Sequence, residues 1–250
     1  MFDLFFKKPD SQNSTTFPVI IPDGVNAAWP VVYRRMRGAK SLTLRLNPVK
    51  RQILLSYPWR TSLREANKFL HAQQDWLQAQ MAQTVEPYRL AIGQRVPVLG
   101  TLREIIHIPA TTRGVKVDMT PDALIVTGSA DRVPRAVFRF LKNLAEAEIS
   151  RLTAIKAAMA ERPVRSLTLR DTSSRWGSCT ATGDLNFCWR LIMAPLEVID
   201  YVVGHEVAHL VHMHHKPTFW ALCRTLTPYT TMGKNWLRQH GLTLQVVLGE

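Results

Sequence analysis

Cysteine is scarce in this sequence, and it contains no long apolar run. Its 250 residues include three cysteines and no C-x-x-C pair, which excludes a disulfide framework and favours a reducing compartment. No stretch is apolar over enough residues to cross a bilayer, and the first residues lack the pattern of a secretory signal. We therefore expect a cytoplasmic protein with no membrane partner.

Acidic residues are also few, with 19 Asp and Glu against 32 Lys and Arg, which gives a formal net charge of +13. The bias is strongest between Gly24 and Arg64, where nine basic residues and no acidic residue occur. Seven of them lie in the stretch 34–51, namely Arg34, Arg35, Arg37, Lys40, Arg45, Lys50 and Arg51. Such a surface can attract nucleic acid, a nucleotide or an acidic partner. No aromatic residue is interleaved with these charges, which favours a solvated sheet face instead.

The composition and the apolar pattern predict a globular α+β protein with three regions. Hydrophobic residues make up 46% and charged residues 20% of the chain, as in ordinary folded domains. Residues 1–30 are polar and proline-containing, which is typical of an irregular lead-in. Residues 31–130 predict a small, β-rich region of antiparallel strands with one helix. Residues 131–250 predict a mainly helical region with two further strands.

The starts of three helices can be predicted from local signals. Ser62 and Glu65 are spaced as a capping box, which indicates a helix that runs to about residue 83. Pro134 and Pro195 are each followed by a helical apolar pattern, and proline is favoured in the first turn of a helix. We expect the helix that begins at Pro195 to continue through His209.

A motif with the spacing of a metal site lies in that third helix. The chain reads His205-Glu206-Val207-Ala208-His209, and residues four apart on a helix face the same way. His205 and His209 can therefore present two imidazoles to one ion. Glu206 lies about 100° further round the helix, from where it can reach a metal-bound water without binding the metal. Zinc-dependent hydrolysis needs this arrangement.

The candidates for the third metal ligand can be narrowed by elimination. No Asp or Glu occurs between Val207 and Gly249. A downstream carboxylate ligand is therefore excluded unless the terminal Glu250 folds back. The remaining residues that could bind the metal are His212, His214, His215, Cys223 and His240.

Geometry favours one of these candidates. His212 lies seven residues after His205, about 10 Å further along the helix axis, and three side chains in a line cannot enclose an ion. His215 lies after a chain reversal and just before Pro217, so it can approach the ion from another side. We favour His215 as the third ligand, with His214 and His212 as the alternatives.

Further segments around the histidine motif carry a family resemblance. Arg-Trp-Gly-Ser-Cys and Arg-Leu-Ile-Met-Ala-Pro precede the motif, and Phe219-Trp220 follows it. With the histidines, these segments resemble the YgjP-like metallopeptidases, which are zincin-like enzymes related to SprT-type proteases. The strong resemblance spans roughly residues 165–240, and a weaker one covers Arg37–Arg45.

The resemblance implies a function and a set of site residues. It implies a zincin-like catalytic domain within residues 131–250, built around the HExxH helix. It also implies a Zn²⁺ site with His205, His209 and His215 as metal ligands and Glu206 as the general base and acid.

Three other residues are weaker candidates for the site. The phenol of Tyr229 could stabilise an oxyanion, although packing beside Trp220 and Trp236 is an alternative. An extended peptide could add to the edge of the strand near Asn186 and Trp189. We therefore include Asn186 and Trp189 as candidate substrate-binding residues.

The leading hypothesis is a zinc-dependent metallopeptidase that acts on a peptide or protein substrate. One alternative is a metal-dependent nucleotide or phosphoester hydrolase, which the basic stretch 34–51 would favour. The sequence has no Gly-rich phosphate loop and no acidic cluster for magnesium, which weighs against it. Another alternative is a nucleic-acid-associated protease that the same basic stretch recruits. A purely structural metal site normally has four closed ligands, so three ligands and a glutamate disfavour it.

Overall fold

The computed structural model describes residues 17–19, 29–47, 50–82, 88–111, 114–172 and 175–248. Its contacts divide the chain at Pro87 into two compact units. Most of the expected irregular lead-in, residues 1–30, lies outside the described residues. The predicted division into regions 1–30, 31–130 and 131–250 stays a prediction.

The first unit contains a four-stranded sheet followed by two helices. Its elements are β1 (Phe17–Val19), β2 (Val31–Met36), β3 (Thr43–Asn47), β4 (Gln52–Pro58), α1 (Leu63–Ala72) and α2 (Gln74–Ala82). The strand order is β1-β2-β4-β3. Strands β1 and β3 run antiparallel to their neighbours, whereas β2 and β4 are parallel to each other.

One face of this sheet is covered by α1 and α2. Alternate residues of β4 are buried with residues of the helices, because successive strand side chains point to opposite faces. The predicted capping box is present, with the Glu65 amide donating to Ser62 Oγ and the Ser62 amide donating to the Glu65 carboxylate. The single helix expected here is two helices, interrupted at Gln73. Trp76 is 44% exposed and lies outside the buried face of α2, which contains Leu77.

The second unit contains three small sheets. The strands are β5 (Tyr88–Arg89), β6 (Arg95–Val98), β7 (Thr101–Pro109), β8 (Lys116–Met119), β9 (Ala123–Gly128), β10 (Ser166–Arg170), β11 (Gly177–Cys179), β12 (Asp184–Cys188) and β13 (Val247–Leu248). They form sheets of order β6-β7-β9-β8, β10-β12-β11 and β13-β5.

Four helices complete the second unit. They are α3 (Val133–Met159), α4 (Leu196–Ala208), α5 (Pro217–Leu226) and α6 (Thr230–Gln245). Helices α3 and α4 begin at the predicted positions, with proline in or just before the first turn. None of the described helices is long and apolar enough to span a membrane.

The mixed α+β architecture is confirmed, but the expectation of a purely antiparallel region is wrong. Each four-stranded sheet contains one parallel pair, β2 with β4 and β7 with β9. The alternation of apolar residues shows which face of a strand is buried and carries no information on the direction of its neighbour. The two sheets share the same strand order and the same strand directions.

Helix α4 lies in the middle of the second unit. It contacts α3, α5, α6 and β11, and every residue from Tyr201 to Ala208 is buried. One hydrophobic core joins α4 to α3, β12 and the strands of the β6–β9 sheet. The sequence motif at the end of α4 is therefore held by packing on several sides.

Candidate metal centre

The carboxyl end of α4 places two histidines one turn apart. His205 lies in the last turn of the helix, and its side chain is fully buried. His209 is the residue that ends the helix and keeps helical backbone angles, with φ of −69° and ψ of −19°. The four-residue spacing therefore brings both imidazoles to the same side of α4, with ring centroids 4.9 Å apart.

The chain then reverses before α5, and this reversal brings in a third histidine. His215 Nε2 lies 3.1 Å from His205 Nε2, and the centroids of the His209 and His215 rings are 4.7 Å apart. Each of the three histidines has a ring nitrogen within 4.8 Å of the others'. In the described part of the chain, this is the group of His, Cys, Asp and Glu side chains that could hold a metal ion.

The side chain of Phe219 packs against all three imidazoles. Its ring centroid lies 4.5 to 4.9 Å from those of His205, His209 and His215, and the residue is fully buried on the first turns of α5. Helix α5 thus supports one side of the histidine cluster. The sequence showed only that Phe219 follows the histidine motif, and its contact with the histidines depends on the fold.

Burial favours neutral imidazoles at the histidines, and one hydrogen bond indicates which nitrogen of His209 carries the proton. His209 Nδ1 lies 2.9 Å from the carbonyl oxygen of His212, and a carbonyl only accepts, so Nδ1 carries the proton and Nε2 keeps its lone pair. Burial lowers the pKa of His205 and of His209. Because neutral imidazole is the form that binds metals, the cluster favours metal binding near neutral pH.

Glu206 directly follows the first of these histidines on α4 and is buried. Its side chain is 1% exposed, and among the described residues its Oε1 has no hydrogen-bond partner. Burial raises the pKa of Glu206 to about 8, although nearby Arg175 acts in the opposite direction. A buried carboxyl without a partner is costly to maintain and is commonly found at functional sites.

Strand β11 reaches Glu206 through a glycine. A Cβ atom placed on Gly177 would lie 2.6 Å from both Cγ and Oε1 of Glu206, which is too close for any side chain. The glycine in the Trp176-Gly177-Ser178 segment therefore lets the backbone of β11 lie directly against the carboxylate. Sequence analysis did not reveal this contact between the strand and the helix.

A buried ion pair joins α4 to α3, and it could not be predicted from a local sequence pattern. Lys156 Nζ of α3 lies 2.7 Å from Asp200 Oδ2 of α4 and donates to the carbonyl of Leu226 at 2.7 Å. The lysine is buried, and it links α3, α4 and the end of α5. Breaking a buried pair leaves an uncompensated charge, so this link constrains the position of α4.

The other two histidines of the turn lie outside the cluster. The rings of His212 and His214 stack on each other at 5.5 Å. His214 is exposed, and its Nδ1 accepts a hydrogen bond from the Lys216 amide. The structure therefore brings His215, and not these alternatives, to His205 and His209.

The weaker candidates lie in different settings. Tyr229 is 37% exposed at the start of α6, and its role at an oxyanion stays a prediction. Asn186 accepts a hydrogen bond from Arg170 at 2.9 Å. Trp189 is 1% exposed and packs edge-on against Phe138 at 5.1 Å. This burial argues for a packing role of Trp189 rather than direct contact with a substrate.

The strand that carries Asn186 does not offer a free edge. Strand β12 lies between β10 and β11 and pairs with both. The expectation that a peptide adds to its edge is therefore wrong, because both sides of its backbone are already used. Among the described strands, β11 is the end strand of this sheet that follows β12, and it contacts α4.

Comparison with known proteins gives one family. Residues 40–240 match the family model described as YgjP-like, metallopeptidase domain, which is most of the chain. No curated protein and no solved structure matches the chain.

Proposed function

The chain belongs to the YgjP-like family of metallopeptidases, and on this premise we propose that it is a zinc-dependent peptidase of zincin-like fold. Helix α4 is its HExxH helix. The three cysteines are free thiols, which supports a reducing compartment such as the cytoplasm. Its substrate is a peptide or a protein.

One observation carries this proposal: three imidazoles converge beside a buried glutamate that has no described hydrogen-bond partner. His205 and His215 Nε2 are 3.1 Å apart, and two nitrogens on one tetrahedral zinc ion are about 3.4 Å apart. The spacing of this pair is therefore close to that of two ligands on one zinc ion, and a ring nitrogen of His209 lies within 4.8 Å of both. We assign His205, His209 and His215 as the metal ligands.

The donor set favours zinc over the hard cations. Three neutral nitrogen ligands suit zinc, whereas magnesium and calcium prefer oxygen ligands. Three protein ligands also leave a coordination position open, as in catalytic rather than structural zinc sites. The nitrogen ligands do not favour the alternative of a magnesium-dependent phosphoester hydrolase.

Glu206 is assigned as the general base and acid. When bound, zinc would polarise the scissile carbonyl and lower the pKa of a water molecule. Glu206 would accept a proton from the attacking water and donate it to the nitrogen of the leaving amine, so that the carboxylate is restored after each turnover. In the metal-free chain burial raises the pKa of this carboxyl to about 8, and the positive charge of a bound zinc ion would lower it towards the range of a general base.

The substrate is assigned to the open edge of β11. An extended peptide can pair with an unpaired strand edge through backbone hydrogen bonds. The close contact of Gly177 with Glu206 would bring such a peptide near the carboxylate. Asn186 pairs with Ser178 across the sheet, so it lies one strand away from the proposed substrate.

The Glu206→Gln variant tests this mechanism. We expect the variant to keep its zinc and its fold but to lose about 10²- to 10⁴-fold in peptide turnover, because glutamine cannot accept the proton. Zinc content and cleavage of a peptide library should be measured together. Glu197→Gln is the matched control, since Glu197 lies in the first turn of the same helix and should stay active. Wild-type turnover by Glu206→Gln would show that another group is the base.

A further inference from the structure

The fold of the first unit gathers residues that are far apart in sequence at one end of its sheet. Strands β2 and β4 are parallel, so their carboxyl termini lie at the same end of the sheet. Strand β4 lies between β2 and β3, so the connection 37–42 has to cross the end of β4. Residues that follow β2 and residues that follow β4 therefore meet there.

An aromatic residue lies at this meeting point. Trp59 directly follows β4, and its amide donates to the carbonyl of Met36, at the end of β2, at 3.1 Å. The Trp59 side chain is 50% exposed. The guanidinium carbon of Arg60 lies 5.3 Å from the centre of the Trp59 ring, so a cation already stacks on this ring.

The charges around Trp59 have one sign. Arg35, Arg37 and Lys40 are exposed at the same end of the sheet. The described residues 29–82 contain ten Lys and Arg but two acidic residues, Glu65 and Asp75. Glu65 is used in the capping box of α1. The positive potential at this end is therefore only weakly offset by acidic side chains of the described first unit.

The second unit provides an internal comparison, because its β6–β9 sheet has the same strand order and directions. The matching end follows β7 and β9 at Pro109 and Gly128. There the next residues include Asp131 and Arg132, and the described residues of the two connections carry no aromatic ring. The topology therefore does not itself require an exposed tryptophan among arginines.

We propose that the basic–aromatic end of the first unit, formed by Arg35, Arg37, Lys40, Trp59 and Arg60, binds single-stranded nucleic acid. The basic side chains contact phosphates, and Trp59 offers a surface on which an unpaired base stacks. Paired bases do not expose their faces, so a single strand is favoured over a duplex. The sequence alone pointed to a solvated face, because Trp59 is outside the basic stretch 34–51 and reaches it only through the β2–β4 pairing.

Fluorescence anisotropy of a labelled oligo-deoxythymidine tests the aromatic part of this proposal. With the full-length chain we expect Trp59→Ala to weaken binding about tenfold, the effect of losing one stacked base. Trp76→Ala is the matched control, since Trp76 is 44% exposed in the same unit but lies on α2. It should bind like the wild type.

The salt dependence tests the charged part. Each lost phosphate contact to a single strand lowers the slope of log affinity against log salt by about 0.7. We expect Arg37→Gln to show this change between about 50 and 200 mM salt. Lys116→Gln, which removes an exposed lysine of the second unit, should leave the slope unchanged.

Three outcomes would overturn the proposal. The first is that the chain does not bind the oligonucleotide at physiological salt. The second is that Trp59→Ala and Trp76→Ala bind the oligonucleotide with equal affinity. The third is that the chain binds polyglutamate as tightly as the oligonucleotide and that Trp59→Ala has no effect on either. The last result would identify a surface for acidic proteins instead. Glu206→Gln should bind the oligonucleotide like the wild type, so a failure of the peptidase assignment does not alter this test.

Discussion

At the residue scale, the buried carboxyl of Glu206 makes stability depend on pH in the metal-free protein. Its folded-state pKa, about 8, is above the ordinary value of 4.5 because the side chain is buried. Between these two values the folded chain holds a proton that the unfolded chain has lost. The free energy of unfolding therefore falls as the pH rises through this range.

The fall of the free energy of unfolding with pH can be tested on the chelator-treated protein. Glu206→Gln removes the ionisable group. The melting temperature of the variant minus that of the wild type should therefore increase as the pH rises from 5 to 8. We expect a relative gain of about 3 °C or more. Thermal melts of both proteins across this pH range measure the difference. Both proteins contain the same histidines, so the contribution of the histidines is common to both curves. Parallel curves of melting temperature against pH would refute the raised pKa.

At the scale of elements, the contact between β11 and α4 determines where the carboxylate lies. Gly177→Ala would place a Cβ atom 2.6 Å from Glu206, and Glu206 is enclosed and cannot swing away. We expect a loss of about 1 to 3 kcal/mol in stability together with reduced turnover, whereas zinc content stays the same because the histidines are not displaced. Melting temperature, zinc content and peptide cleavage measure the three effects.

Gly38→Ala is the control for this substitution. A Cβ atom on Gly38 would meet nothing within 4 Å, so we expect wild-type stability and turnover. A Gly177→Ala protein that is as stable and active as Gly38→Ala would show that β11 does not constrain Glu206.

The sequence was informative at this scale where the signals are local. The capping box at Ser62 and the starts of α3 and α4 follow from residues within one helical turn. The spacing of His205 and His209 follows from helix geometry in the same way. The position of His215 needed a chain reversal, and Pro217, which begins α5, marks where that reversal ends.

The sequence was not informative where the structure depends on pairing or packing between segments that are far apart in the chain. Strand β12 was expected to offer an edge, but it pairs on both sides. The break between α1 and α2 at Gln73 interrupts a run that contains no glycine or proline, so no local signal marks it. Gly241 lies inside α6 although glycine is typical of helix ends, and a Cβ atom there would be 3.4 Å from Trp176.

At the scale of the whole molecule, the chain consists of two units with different chemistry. The histidine cluster and Glu206 lie within the second unit, and the basic–aromatic end lies within the first. Both four-stranded sheets have the same strand order, although no internal sequence repeat is visible. The proposed metal site and the proposed nucleic-acid surface lie in different units. Substitutions in one unit can therefore test one proposal without removing the residues of the other.

His205, His209 and His215 are proposed to hold one zinc ion in the second unit. Metal analysis of the full-length protein, purified without added metal, tests this proposal most directly. We predict one zinc per chain in the wild type and in His214→Ala, and loss of zinc in folded His205→Ala and His215→Ala. A folded wild-type protein without zinc, or loss of zinc in His214→Ala but not in His215→Ala, would contradict the account.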